Sequence, residues 1–205
     1  MLYHLMYGLI SMGKVELWFP IGIYQERELF SSDQNNQWAE YALSIKDKIP
    51  SQSNGWQGNT YTTHAAEYVL KTDPVFAPLI NKITEHVNYF AKQHGDQSNY
   101  SCQHAWLNIA DEGNSQEFHT HNGSIFSLAY YITAPEGSGR IIFEDPKEPD
   151  MMPLKGIGTT NDLSFTRIGY APEQGFLLIF RSYMRHMVES GFNKTPRISI
   201  SMNFG

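Results

Sequence analysis

Residues 175–204 read GFLLIFRSYMRHMVESGFNKTPRISISMNF, and this stretch decides the fold class. Gly175 opens an apolar run that ends at Phe180, too short for a helix and made of residues that favour strands. A second run covers 184–189, and the Gly, Asn and Pro residues between 190 and 196 break the chain before a third. In that third run, 196–204, the alternation is strict. Ile198, Ile200, Met202 and Phe204 fall on one face, and Arg197, Ser199, Ser201 and Asn203 on the other. Successive side chains of a strand point to opposite sides, so the strand either exposes its polar face to water or turns it into an interior.

The same texture extends back to residue 100, with strand-like runs near 103–110, 116–121, 125–133, 139–143 and 164–169. Eight short strands predict a mainly β core, a double-stranded β-helix (a cupin-like jelly roll), with N-terminal helices packed on its outside. The polar stretch 147–163, KEPDMMPLKGIGTTNDL, predicts a long loop of the kind that serves as a lid or binding element. Upstream, residues 33–48 place Trp38, Tyr41, Ala42 and Ile45 on one helical face, with Ser32 or Asp33 as N-cap. Residues 74–94 form a stronger helix. Asp73-Pro74 introduces it, Gly95 closes it, and Phe76, Leu79, Ile80, Ile83, Val87 and Phe90 make its stripe. These are packing elements, so His86 and His94 read as surface or packing residues. The expected organisation is one domain over 1–205: a helical N-terminal part with short strands (1–100) and a metal-binding core (101–205).

Composition narrows the function classes. Hydrophobic residues make up 41% and charged residues 18% of 205, which fits a chain with a sizeable core and disfavours disorder. The net charge is −6 and no Lys/Arg run occurs, which argues against a nucleic-acid partner. The single cysteine, Cys102, excludes an internal disulfide and points to a reducing, cytoplasmic setting. The opening MLYHLMYGLISMGKVELWFP lacks a basic start and is interrupted by Lys14 and Glu16, so neither a signal peptide nor a membrane span is expected. Met12 is a candidate start, with residues 1–11 an upstream extension. The apolar N-terminal segment offers a surface on which a homo-oligomer could form.

Three constellations carry chemistry. His119-Thr120-His121 sits on a predicted strand, where i and i+2 share a face and both imidazoles can reach one ion. His186 follows the apolar strand 175–180 and is the best third ligand. Imidazoles in this number suit Fe, Zn, Cu or Ni. The polar face of the last strand carries Arg197. If that face is interior, a buried Arg requires an anion, and its planar fork matches a carboxylate in bidentate fashion. No acidic residue lies on that strand, so a bound dicarboxylate would supply the charge, with Ser199 able to donate a further hydrogen bond. His4 and His64, like His86 and His94, read as non-ligands. His104 shares parity with Trp106 and Asn108, which turns it toward the interior, where it reads as a satisfied core histidine or, alternatively, as a residue behind the metal ligands or facing substrate. Trp106, Phe126, Phe143 and Tyr183 read as core or pocket lining.

His-x-His, the Tyr130-Tyr131 pair ending a strand, GSGRIIFEDP (137–146), an apolar strand followed by His186, and Arg-x-Ser eleven residues after it come in an order that resembles the 2-oxoglutarate/Fe(II)-dependent dioxygenase superfamily. The likeness is greatest to its small, uncharacterised prolyl-hydroxylase-like members, of the type encoded by phages and marine bacteria. It runs from about Trp56, in SNGWQGNTY, to the C-terminus. The resemblance implies that His119 and His186 are iron ligands and that Arg197 and Ser199 bind the distal carboxylate of 2-oxoglutarate. It also implies that Tyr131 assists at that carboxylate and that Asn108 lies near the other end of the cosubstrate. It implies Fe(II) and 2-oxoglutarate as cofactors, and hydroxylation of a peptidyl residue, amino acid or small metabolite coupled to release of succinate and CO2.

The superfamily's usual His-x-Asp or His-x-Glu departs here to His121, which leaves three readings open. His121 is itself a ligand, a carboxylate such as Asp111 or Glu117 completes a mixed triad, or the position is filled by water or an anion. Two rival functions also stand. One is a cupin-like three-histidine metalloenzyme that does not use 2-oxoglutarate, which leaves Arg197 without a purpose. The other is a jelly-roll binding protein without catalysis.

Overall fold

The computed structural model describes residues 14–53, 55–56, 58–147, 155–156, 158–161 and 163–205. His4, Met12 and most of the expected 147–163 loop fall outside these residues. The described elements are β1 (Ile23–Glu26), α1 (Ser32–Lys46), β2 (Tyr61–Thr62), a 3-10 turn (Leu70–Thr72), α2 (Ala77–Gln93), β3 (Cys102–Ala110), β4 (Gln116–His119), β5 (Phe126–Thr133), β6 (Ile141–Glu144), β7 (Arg167–Tyr170), β8 (Leu177–Arg181), β9 (His186–Val188) and β10 (Arg197–Phe204).

Both helices lie where apolar periodicity places them. The N-cap of α1 is Ser31, whose Oγ accepts from the Gln34 N–H, one residue before the earlier of the two expected caps. Its buried stripe is Asn35, Trp38, Ala42 and Ile45. Asn35 is polar yet buried because both ends of its amide are used: Nδ2 donates to the carbonyls of Phe30 and Ser31, and Oδ1 accepts from the Tyr130 hydroxyl at 2.7 Å. α2 begins three residues after Pro74, because residues 73–76 form a turn first. Leu79, Ile80, Ile83, Val87 and Phe90 are buried along it, as the stripe requires. No helix among the described residues is long and apolar enough to cross a membrane.

The strands correct the expected double-stranded β-helix. They form two open antiparallel sheets, ordered β1-β8-β5-β10-β3-β2 and β4-β9-β6-β7, and neither closes on itself into a barrel. The cause lies in the N-terminal half. β1 adds to β8 and β2 adds to β3, so each outer side of the larger sheet ends on a short strand instead of joining the smaller sheet. Alternation along a strand specifies its faces but not its neighbours, so the pairing was not legible in the apolar pattern.

Register explains the burial of both faces of β10. Ile198, Ile200, Met202 and Phe204 pack with Leu107, Ile109, Leu128 and Tyr130 against the helices. The opposite face turns toward the smaller sheet. There Ala129, Tyr131, Leu178 and Phe180 of the larger sheet meet Ile141 and Phe143 of the smaller one in a second apolar cluster. The two sheets therefore face each other, and the polar face of β10 points between them.

Candidate metal centre

Three strands present a ladder of side chains between the sheets. Tyr131, Ser199 and Asn108 are directly opposed across β5, β10 and β3. The next row is Ala129, Ser201 and Trp106, and the next Ser127, Asn203 and His104. Directly opposed residues share a face, so these nine side chains line one surface. Arg197 stands one row further on, beside the irregularity that shifts the β10–β5 register between Ile198 and Ser199.

The smaller sheet supplies the histidines. His119 at the end of β4 is opposite His186 of β9, and their rings lie 4.3 Å apart. His121 lies beyond the end of β4, which corrects the expectation that one strand carries both residues of His-x-His. Its backbone N–H donates to the Ser182 carbonyl, and that bond returns its ring to the pair, at 5.2 Å from His119 and 5.1 Å from His186. The ligand nitrogens of the three residues all lie within 4.8 Å of one another.

Each of the three rings donates from Nδ1 to a carbonyl oxygen. His119 donates to the Glu117 carbonyl at 2.7 Å, His186 to the Met184 carbonyl at 2.9 Å, and His121 to the Asn203 side-chain carbonyl at 2.6 Å. A carbonyl only accepts, so Nδ1 carries the proton and Nε2 presents a lone pair. His121 Nε2 is buried with no hydrogen-bond partner among the described residues. Burial lowers the proton affinity of all three: His121 to about 4, His186 well below the usual range, and His119 in the same direction. Three neutral imidazoles with inward lone pairs, fixed by outer hydrogen bonds, make a donor set that fits a first-row divalent ion.

The carboxylates named as alternative ligands lie elsewhere. Asp111 is exposed and pairs with Lys46 at 3.1 Å. The Glu117 side chain is exposed, although its carbonyl holds His119. Among the described residues, no Asp or Glu joins the three histidines.

Arg197 opens on the same cavity as the histidines, with Tyr131, Ser199, Asn108 and Trp106 along its wall. It is 3% exposed. One of its terminal N–H groups donates to the Gly139 carbonyl at 3.1 Å, and its Nε has no partner among the described residues. Burial lowers its pKa and the neighbouring Tyr131 opposes that shift, but a guanidinium stays protonated in a protein. No described carboxylate forms an ion pair with it. Asn108 is held in place: its Nδ2 donates to Ser201 Oγ at 3.1 Å, and its Oδ1 accepts from Gln116 at 3.4 Å.

Sequence reasoning missed several participants. Asn203 was visible on the polar face of β10, yet nothing in the pattern tied it to His121. His64, expected not to be a ligand and absent from the converging set, follows β2 and packs against Trp56, His104 and Trp106, with ring separations of 5.6, 4.8 and 4.8 Å. Trp56 lies 5.0 Å from His119, and Trp106 lies 5.7 Å from His121. His104 accordingly belongs to the wall beside the histidines. His86 meets the Tyr24 hydroxyl at 2.7 Å, and His94 donates to the Phe90 carbonyl at the end of α2, both away from the site. Phe143 and Phe180, expected as lining and as part of an apolar strand, pack against His186 at 5.6 and 4.7 Å.

Residues 104–203, just under half of the chain, match the family model described as "Putative 2OG-Fe(II) oxygenase". No curated protein matches by sequence. Solved structures share the fold at low identity. A Pseudomonas putida prolyl-4-hydroxylase superposes with a TM-score of 0.60 at 11% identity, covering 90% of this chain and 92% of that one. A viral collagen prolyl hydroxylase from Paramecium Bursaria Chlorella virus-1, as its 2OG complex, gives 0.57 at 13%, covering 89% and 94%. HygX from Streptomyces hygroscopicus, with nickel and 2-oxoglutarate bound, gives 0.61 at 13%, covering 90% and 83%.

Proposed function

We propose that this chain is a 2-oxoglutarate- and Fe(II)-dependent oxygenase that hydroxylates a small-molecule or peptidyl substrate. The observation that carries the reading is the pairing of two features in one cavity: three imidazoles with inward lone pairs, and a buried Arg197 with no carboxylate partner among the described residues. The family match over 104–203 and the shared fold support it. A three-histidine enzyme without 2-oxoglutarate accounts for the first feature and leaves the second as an uncompensated buried charge, which is costly.

In this reading His119, His121 and His186 hold the ion through Nε2. Arg197 receives the distal carboxylate of 2-oxoglutarate, with Ser199 Oγ as a further donor and the Tyr131 ring closing the pocket behind it. Asn108, fixed by Gln116 and Ser201, lies between that anchor and the metal. Bound Fe(II) and 2-oxoglutarate supply an O2-dependent oxidation of a substrate C–H bond, in which 2-oxoglutarate leaves as succinate and CO2. The chain's own contribution is position and dryness. Phe143 and Phe180 shield His186, which is 4% exposed, and Trp56 and Trp106, packed against His64 and His104, flank His119 and His121.

The test is turnover of 2-oxoglutarate by purified protein with Fe(II) and O2, read as succinate formed. Succinate from the native chain, and none from His186→Ala, supports the reading. Oxygen uptake without succinate would favour the enzyme that does not use 2-oxoglutarate.

A further inference from the structure

His119 and His186 are held by backbone carbonyls, which no substitution at the accepting residue removes. His121 is different, because its Nδ1 donates to a side chain, the Asn203 amide oxygen, at 2.6 Å. That oxygen also accepts from Ser127 Oγ at 2.8 Å. Ser127 carries one hydroxyl hydrogen, so its contact with Ser182 Oγ, at 2.8 Å, has Ser182 as donor. The Ser182 carbonyl in turn accepts from the His121 backbone N–H at 3.0 Å. The contacts close into a ring through His121, Asn203, Ser127 and Ser182 that grips His121 at its backbone and at Nδ1. Ser127 and Ser182 are buried, and both serine hydroxyls are hydrogen-bonded inside the ring.

We infer that Asn203, seated by Ser127 and Ser182, is the positioning residue that makes His121 a metal ligand in place of the usual carboxylate. A carboxylate at position 121 would need no such partner, because it has no N–H to satisfy. An imidazole has two nitrogens, and unless Nδ1–H finds an acceptor the ring has no reason to present Nε2. Asn203 provides that acceptor without adding a negative charge, so the donor set stays neutral and the metal keeps its full charge for a dianionic cosubstrate. The inference rests on the metal reading of the site given above, and the experiment separates the two.

The probe is Co(II), titrated into the full chain in competition with a chromophoric chelator, with the ligand-field absorption of bound Co(II) recorded alongside. Asn203→Leu removes the acceptor at similar volume, and Asn203→Asp restores it. Loss of such an outer partner weakens metal binding about 10–100-fold. Asn203→Leu is expected to show that loss and an altered absorption spectrum, whereas Asn203→Asp binds at least as tightly as the native chain. Ser127→Ala, which leaves Asn203 in place but loosens it, is expected to fall between. Asn203→Leu binding within about twofold of native with an unchanged spectrum overturns the inference and leaves the metal site standing. An Asn203→Asp variant that binds Co(II) about 10-fold or more weakly than the native chain also overturns it, and that comparison remains readable if Asn203→Leu fails to fold. A native chain that takes up no Co(II) overturns the metal reading itself, and this inference with it.

Discussion

Replacing Arg197 by Met has opposite consequences for the empty and the loaded protein, and the two signs together test what the residue is for. Arg197 is 3% exposed and, among the described residues, has no acidic partner and leaves Nε without a hydrogen bond. Burying a charge without a partner costs on the order of several kcal/mol even after relaxation. Met fills similar space without that cost, and the change sacrifices one hydrogen bond, to the Gly139 carbonyl, worth roughly 1 kcal/mol. The metal-free, ligand-free protein should therefore gain about 1–3 kcal/mol, or roughly 2–4 °C in Tm per kcal/mol for a chain of this length. The loaded protein loses its anchor. Stranding one half of a buried ion pair costs about 3–5 kcal/mol, so affinity for 2-oxoglutarate should fall by about 10²–10⁴-fold. The assay is thermal unfolding of native and Arg197→Met proteins under anaerobic conditions, with and without Fe(II) and 2-oxoglutarate. A ligand at about 100 times its Kd raises native stability by about 2.7 kcal/mol, and in the variant that increment should vanish. A variant that is less stable when empty and keeps the native response to 2-oxoglutarate would refute the reasoning on both counts.

His121→Ala should abolish tight metal binding, whereas Asp111→Asn and Glu117→Gln should leave it within about twofold, because neither carboxylate is among the converging ligands; titration with a chelator competitor decides. For pH, burial holds His121 neutral down to about 4 and lowers His186 well below the usual imidazole range, while the unfolded chain titrates near 6.5. The unfolded state binds more protons between those values, so metal-free protein should lose stability as pH falls from about 6.5 toward 4. Bound metal should carry stability further down, since protons must first displace it. Unfolding midpoints across that range check both statements, and a flat metal-free profile would contradict them. Gly139→Ala should unfold at a lower temperature and bind 2-oxoglutarate more weakly. An added Cβ there collides with the Glu189 carbonyl, and the shift moves the carbonyl that orients Arg197; parallel melting and binding curves test it.

How much was legible in the sequence follows from what each pattern can encode. The apolar stripes of α1 and α2 report directly on the face they bury, and both helices formed there. Alternation along 196–204 separated Ile198, Ile200, Met202 and Phe204 from Arg197, Ser199, Ser201 and Asn203, and the two faces do go to different environments. The chain closure did not follow. Whether eight strands wrap or lie in two open sheets depends on partners, and β1 and β2 are a four-residue and a two-residue segment with no periodicity to read. At the site, His119 and His186 converge as expected, but for His121 the parity argument was the wrong reason. A hydrogen bond to Ser182, 61 positions away, brings it back after its strand has ended. Asn203 and His64 escaped for the same cause, since their contacts are made across strands and no local spacing announces them.

Anaerobic addition of Fe(II) and then 2-oxoglutarate to the native chain, followed by absorption spectroscopy, tests the metal centre and the Arg197 pocket in one measurement. A charge-transfer band that requires both components and saturates at one equivalent of each is the predicted result. Iron-loaded protein that shows no such band at saturating 2-oxoglutarate would contradict the assignment.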